Sequence, residues 1–287
     1  AAAAAAAAAA ETEREAVAAA AAGGWRYSPP GEARRLARHT GAVLTHTHAD
    51  FDSLGAAVAL ARLRDHRAGE PCTCVVMPDG ANPTLARFLA LHKNYYPLRS
   101  ARAVGASERR WVGVVDAQRR DRLGECATWL DEAAAVAVYD HHPDSTGNLG
   151  PGGKKGRDDV DFHISELGSA TSVVMRELRA EGVAVTPQDA TLFALGIHTD
   201  TGSLAYECTT LEDVRALEYC VAHGASQRAI ADFVKPHTSP VQQEVIGKAL
   251  RGAEHVTHNG CRVASVHVPV GEYLPGMAHV ATAPRGG

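Results

Sequence analysis

At 287 residues the chain can hold one large domain or two smaller ones, and either can bury a real core. Its 45% hydrophobic and 22% charged residues are ordinary for a globular protein. A formal net charge of -4 excludes a broadly basic, duplex-binding surface, and no apolar run is long enough to span a bilayer.

Residues 1–36 form an Ala-rich, low-complexity tail in which Glu11, Glu13 and Glu15 argue against an organellar transit peptide. The first residue is not Met and the closing Ala-Pro-Arg-Gly-Gly completes no element, so a piece of a longer product is expected. The cysteines Cys72, Cys74, Cys126, Cys208, Cys220 and Cys261 form no CxxC pair. A chain of this length folds without disulfides, which points to free thiols in a reducing intracellular compartment, cytoplasm or organelle.

From about Ala37 short apolar runs alternate with longer helical patterns. Gly41–Thr45 reads as a buried strand, followed by a helix over Ser53–His66. Cys72–Met77 is a second strand, with Cys72 and Cys74 on one face as core, followed by a helical Thr84–His92. Trp111–Val115 and Ala135–Tyr139 are a third and a fourth strand. A Gly/Lys/Asp-rich loop at about Gly147–Asp159 precedes helices over Ser169–Glu181 and Pro187–His198, a turn at Thr199–Ser203 and a helix over Leu211–His223. Apolar strands alternating with amphipathic helices predict an α/β fold with an open, doubly wound parallel sheet over residues 37–235. Residues 236–287 offer a linker helix over Ser239–Glu254 and an alternating strand over Cys261–Val270, the beginning of a second α/β domain that is incomplete here.

The acids and histidines fall where strands end. Strand one runs into His46-Thr-His48-Ala-Asp50-Phe-Asp52, strand three into Asp116, and strand four into Asp140-His141-His142. Asp200 lies in Gly196-Ile-His198-Thr-Asp200-Thr-Gly202. Taken singly, Asp52-Ser53 reads as a helix cap, and Asp116 and Asp200 as turn residues. Together they converge, because residues beyond the carboxyl ends of parallel strands share one crevice. Carboxylates crowded there raise each other's pKa, and divalent cations relieve that repulsion. Six ligands of mixed imidazole and carboxylate (His46, Asp50, Asp52, Asp116, His141, Asp200) suffice for two ions if one or two Asp bridge. Such a donor set suits Mn²⁺, with Mg²⁺ or another divalent ion able to compete, and the lack of thiolate argues against structural zinc. Two ions about 3.5–4 Å apart clamp a phosphoryl group and activate a bridging hydroxide for in-line attack.

These segments resemble the ordered motifs of the DHH phosphoesterase superfamily: THTHADFDSLGAAVA the first, VVDAQRRDRLG the second, YDHHPDS the Asp-His-His signature, and ALGIHTDTGSL the fourth. GSATSVV and TTLEDVRALEYCVAHGA are similar to its intervening and following segments, so the resemblance covers about Thr40 to Val234. It implies one ion held by His46, Asp50, Asp116 and Asp200 and a second by Asp52, Asp116, His141 and Asp200. It further implies His142 near the scissile phosphate, with Asp140 orienting the histidines. Arg122 is a candidate phosphate contact or a solvated arginine, and His48 and His198 lie off the ligand positions.

The superfamily includes exopolyphosphatases, manganese pyrophosphatases, oligoribonucleases, cyclic-dinucleotide phosphodiesterases and single-strand exonucleases, which close a second domain over the substrate. The Ala-Asp-Phe-Asp form of motif one is similar to the DHH region fused to some tRNA nucleotidyltransferases. The expected activity is therefore hydrolysis of a phosphodiester bond in a short oligonucleotide or dinucleotide. Alternatives are pyrophosphate or polyphosphate cleavage, or a non-catalytic RNA-positioning module beside a fused downstream domain.

Overall fold

The computed structural model describes residues 40–143, 149, 160–234, 240–258 and 261–265. The Ala-rich tail and, apart from Leu149, the loop expected at about 147–159 lie outside the described residues. The chain divides into two compact units, Ala1–Ile230 and Ala231–Gly287.

The first unit is built on one all-parallel sheet of five strands, in the spatial order β2-β1-β3-β4-β5: β1 (Gly41–Leu44), β2 (Thr73–Val76), β3 (Trp111–Val115), β4 (Ala135–Asp140) and β5 (Val160–Ile164). Gly41 is level with Thr73 on one side and with Trp111 on the other. The chain thus lays β2 on one side of β1 and then crosses over to lay β3 on the other. In an open α/β sheet this reversal leaves a crevice beyond the carboxyl ends of the two central strands, where ligands bind. His46 follows β1 by two residues and Asp116 follows β3 by one. The edge strand β5, VDFHI, is a finding that sequence patterning misses, because its half-exposed and polar residues do not form a buried apolar run.

Successive strand residues face opposite ways, so the sheet feeds two cores. Ala42, Leu44, Cys74, Val76, Val112, Val114, Val136 and Val138 pack with Leu123, Cys126, Trp129 and Leu130. That second group comes from a 3-10 segment, Arg120–Thr128, and from the one-turn α3 (Trp129–Glu132), where a longer helix is the commoner cover. The other face packs on α1 (Phe51–Ala68), which follows β1; α2 (Pro83–His92) follows β2. Gly113 is on this face, and a Cβ there would come within 2.9 Å of Leu60 Cδ2.

Helix α1 is buried without a break from Phe51 to Ala61, because α4 (Ala170–Ala180) and α5 (Pro187–Asp200) cover the side that the sheet leaves open. Burying each of Phe51, Leu54 and Leu60 stabilises the fold by roughly 1.5–3 kcal/mol. Its small residues permit close crossings: a Cβ on Gly55 or on Gly196 of α5 would meet the same Thr171 Oγ1 at 2.6 Å. Arg62 of α1 reaches Asp189 of α5 with Nε and Nη2, both at 3.1 Å. Ser169, Thr186 and Thr210 cap α4, α5 and α6 (Leu211–Ala222) by accepting backbone N–H groups. Helix α7 (Gln227–Val234) runs across the division between the units. In the second unit, α8 (Pro240–Arg251) is followed by an antiparallel hairpin of β6 (Glu254–His258) and β7 (Cys261–Ser265).

Candidate metal centre

Four segments deliver the acidic and imidazole groups. After β1 the chain carries His46, buried at 6% exposure, to Asp50, whose side chain caps α1 by accepting Ser53 N–H at 2.9 Å. The Ser53 hydroxyl accepts Asp50 N–H in return, so the helix cap falls to Asp50 rather than to the expected Asp52-Ser53 pair. Asp52, the second residue of α1 and fully buried, turns to another helix: its oxygens accept the N–H groups of Ala170 and Thr171 at 2.7 and 2.9 Å, at the start of α4. Asp116 adopts φ +55°, a left-handed conformation that Asp tolerates better than most residues. Asp140 ends β4 and His141 and His142 follow.

Asp200 differs from its expected position. It is the last residue of α5 rather than part of the turn that follows. A carboxylate at a helix C-terminus faces the negative end of the helix dipole, which disfavours its ionised form.

The carboxylate of Asp116 is the junction. Its Oδ2 lies 3.3 Å from His46 Nε2, and its Oδ1 lies 3.5 Å from His141 Nε2. His46 Nε2 is also 3.7 Å from Asp50 Oδ2, and His141 Nε2 is 3.6 Å from Asp200 Oδ2. Two compact donor sets result, His46–Asp50–Asp116 and Asp52–His141–Asp200, with ligand atoms within 4.8 Å of one another in each. A third grouping, Asp116–Asp140–His141–His142, overlaps both through Asp116 and His141. Asp200 falls with Asp52 and His141, whereas Asp116 faces both imidazoles.

Both imidazoles are held in one orientation. His46 Nδ1–H donates to the Thr47 carbonyl at 2.6 Å and His141 Nδ1–H to the Leu167 carbonyl at 3.1 Å. A carbonyl only accepts, so in both rings Nε2 turns to the acids. His141 Nε2 is buried without a hydrogen-bond partner among the described residues, as expected of a nitrogen whose partner is a cation.

The protonation states fit the same account. Burial alone would lower His46, but Asp116 and Asp50 raise it to about 10. Burial likewise opposes, and Asp116 with the charges of Asp52 and Asp200 overrules it, at His141, also to about 10. Burial, then the charge of Asp116, pushes Asp52 up to about 7, and burial with the charges of Asp52, Asp50 and Asp116 pushes Asp200 to about 9. Protons thus offset the crowded charge, which is the work a divalent cation does at such a site.

No protein-family model matches the chain. It is 32% identical over 242 residues to an A-adding tRNA nucleotidyltransferase of Geobacter sulfurreducens, covering 83% of this chain and 26% of that protein. It is 34% identical over 140 residues to an A-adding tRNA nucleotidyltransferase of Aquifex aeolicus, covering 49% of this chain and 16% of that protein. The fold is similar to that of an exopolyphosphatase-related protein from Bacteroides fragilis, with a TM-score of 0.61 at 16% identity over 75% of this chain and 62% of the other. The ordered motifs of the chain resemble those of the DHH phosphoesterase superfamily. It spans about a quarter or less of the length of the tRNA nucleotidyltransferases it matches.

Other residues of the DHH motifs occupy the margins. His142 is 57% exposed, with Nδ1 2.8 Å from Asp140 Oδ1 and 3.8 Å from Asp116 Oδ1. Asp140 Oδ1 also accepts the N–H groups of His141 and His142, at 2.8 and 3.3 Å, which fixes both residues. The Arg122 side chain is exposed, and it is the backbone carbonyl that ties this residue to motif one, accepting Thr47 N–H at 2.7 Å. His48 points outward, 3.9 Å from Asp79 Oδ2, and His198 is half-buried with Nδ1 lacking a partner among the described residues. Sequence reading missed Gln118, buried two residues after Asp116, whose amide donates to the His142 carbonyl at 3.1 Å. It also missed the Leu167 carbonyl, since a backbone acceptor leaves no trace in side-chain identity.

Proposed function

We propose that this chain hydrolyses a phosphodiester bond of a short oligonucleotide or dinucleotide with two divalent ions, Mn²⁺ first among them and Mg²⁺ next. The observation that carries the reading is the pair of donor sets that meet at Asp116. His46, Asp50 and Asp116 would hold one ion, and Asp52, His141 and Asp200 the other, with Asp116 shared. Bound ions supply Lewis acidity toward a phosphoryl oxygen and lower the pKa of a coordinated water.

The side chains do the rest. Thr47 and Leu167 carbonyls hold the two ligand imidazoles with Nε2 inward. Asp140 Oδ1 accepts His142 Nδ1–H at 2.8 Å and raises the pKa of this ring, which stands exposed at the rim. There it is placed to donate to a phosphoryl oxygen or a departing alkoxide. Burial of Asp52 and Asp116 keeps water away from the floor of the site and strengthens each charge interaction.

Incubation with Mn²⁺ and a dinucleotide or short RNA should release mononucleotides, faster than phosphate is released from pyrophosphate or polyphosphate. Full rate in a His141→Ala variant would sink the site assignment, and faster pyrophosphate cleavage would sink the substrate assignment. A second reading is favoured by the relatives, which are named for adding A to tRNA: the centre positions RNA within a larger tRNA nucleotidyltransferase-type protein. Metal-dependent RNA binding without cleavage would select it.

A further inference from the structure

One segment, Leu167–Thr171, touches two ligands of the same donor set. The Leu167 carbonyl accepts His141 Nδ1–H, while the Ala170 and Thr171 amides donate to the two oxygens of Asp52. Thr171 adds a second tie, its hydroxyl donating to the Asp52 carbonyl at 3.1 Å. The position of this segment therefore sets two of the three groups in the Asp52–His141–Asp200 set at once. Between the two attachments lies Gly168, whose N–H donates to Asp213 Oδ2 at 2.9 Å.

Asp213 is fully buried on α6 and belongs to none of the donor sets. Its Oδ2 also accepts Thr210 N–H and Thr210 Oγ1–H, at 2.8 and 2.6 Å, whereas Oδ1 is buried with no partner among the described residues. Helix capping accounts for the bonds to Thr210 but not for the one to Gly168, which lies 45 residues earlier in the chain. The fit is close: a Cβ on Gly168 would come within 2.8 Å of Asp213 Oδ2 and 2.6 Å of Thr201 Cγ2.

We propose that Asp213 is a positioning residue for one half of the metal centre, locking the Leu167–Thr171 segment so that His141 and Asp52 face Asp200. This rests on the two-ion reading above. Asp213 acts through Gly168 and touches neither ion nor substrate. Removing it leaves the His46–Asp50–Asp116 set as it is and loosens the other set alone.

The test is Mn²⁺ titration of the full chain by calorimetry, with circular dichroism and Tm recorded for every variant. Wild type takes two ions, and His141→Ala marks which of them the second set binds. Asp213→Ala should raise Kd for that ion by about 10–100-fold, the usual effect of losing an outer partner, and leave the other unchanged. Gly168→Ala should do the same by displacing the segment while leaving the Asp213 carboxylate in the chain, and so serves if Asp213→Ala does not fold; Thr210→Ala controls for any disturbance of the α6 cap. Asp213→Asn should bind both ions as wild type does, since its carbonyl replaces Oδ2 and its amide takes the place of the unpartnered Oδ1. Thr210→Ala should lower Tm yet leave both Kd values alone, which separates helix capping from positioning. Wild-type Kd values in both Asp213→Ala and Gly168→Ala, or equal weakening of both ions, would overturn the proposal. A single ion in wild type would instead overturn the two-ion reading, and the proposal would then be decided by whether Asp213→Ala weakens the ion that His141→Ala abolishes.

Discussion

Asp116 Oδ2 lies 3.3 Å from His46 Nε2, while its other oxygen lies 3.5 Å from His141. A single carboxylate thus faces both imidazoles, and every other acid of the centre sits to one side or the other. Asp116→Asn keeps the shape and removes one of the two anionic oxygens. Outer partners alone change metal affinity by about 10–100-fold, so loss of a shared ligand should exceed about 100-fold and affect both ions. Calorimetric Mn²⁺ titration reads this directly. Loss of one ion with the other intact would show that Asp116 is not shared.

The pH dependence of stability follows from the same crowding. Folded, metal-free protein holds protons on His46 and His141 up to about 10, against an ordinary 6.5, and on Asp200 up to about 9, against 3.8. The folded state therefore binds more protons than the unfolded chain, and stability falls as pH rises. Asp200 contributes from about pH 4 upward and the imidazoles from about 6.5, so all three act together between pH 6.5 and 9. Asp50 and Asp140 are held below 3.8 and stay ionised across that window. Cations must displace these protons, so Mn²⁺ affinity should climb with pH and binding should release protons. Thermal melts in EDTA should show Tm falling from pH 6.5 to 9, with the gap to the Mn²⁺ curve widening. A flat or rising Tm in EDTA would contradict the shared protonation.

Much of this architecture is legible in the sequence for one physical reason. Strands buried on both faces must be apolar throughout, so β1 to β4 stand out as unbroken runs, and ligands of a parallel sheet gather at carboxyl ends. The edge strand β5 escapes because one side of it needs no burial. Asp200 is placed in a turn by sequence reading because helix ends are set by capping detail that periodicity does not carry. Asp52 shows the deeper gap: local logic makes it the cap of its own helix, yet it accepts the N–H groups of α4, some 118 residues away. Arg122 shows the converse: its side chain is exposed, which suits either of its two readings, and it is its backbone carbonyl that is fixed, by Thr47 N–H.

Gly196 supplies a test of how tightly the helices are set around Asp52. A Cβ there would meet Thr171 Oγ1 at 2.6 Å, Phe51 O at 3.0 Å and Asp52 Cα at 3.1 Å, two of them backbone atoms that cannot rotate away. Gly196→Ala should cost about 1–3 kcal/mol, read as a lower denaturant midpoint. Because the displaced atoms include Asp52 and its Thr171 partner, Mn²⁺ affinity should fall as well. Gly69→Ala is the control: nothing lies within 4 Å, but φ is +74°, so it should cost about 1–2 kcal/mol with no change in metal binding. Equal effects of the two variants on metal affinity would remove Gly196 from the site's support.

Asp140 differs from the other acids in serving the histidines rather than facing Asp200. Its Oδ1 accepts two backbone N–H groups and lies 2.8 Å from His142 Nδ1, and this bond is the first cause of the raised His142 pKa. Asp140→Asn keeps an oxygen for the amides but removes the charge that favours the imidazolium. The pKa of His142 should therefore fall back toward 6.5, which nitrogen-15 NMR of the metal-free protein can follow. The phosphodiesterase rate at pH 7.5 should drop by about 10–100-fold, with less loss at lower pH, where His142 regains its proton. If His142 titrated in Asp140→Asn as it does in wild type, the charge of Asp140 would have no part in setting the rim imidazolium, and Asp140 would act through the backbone alone.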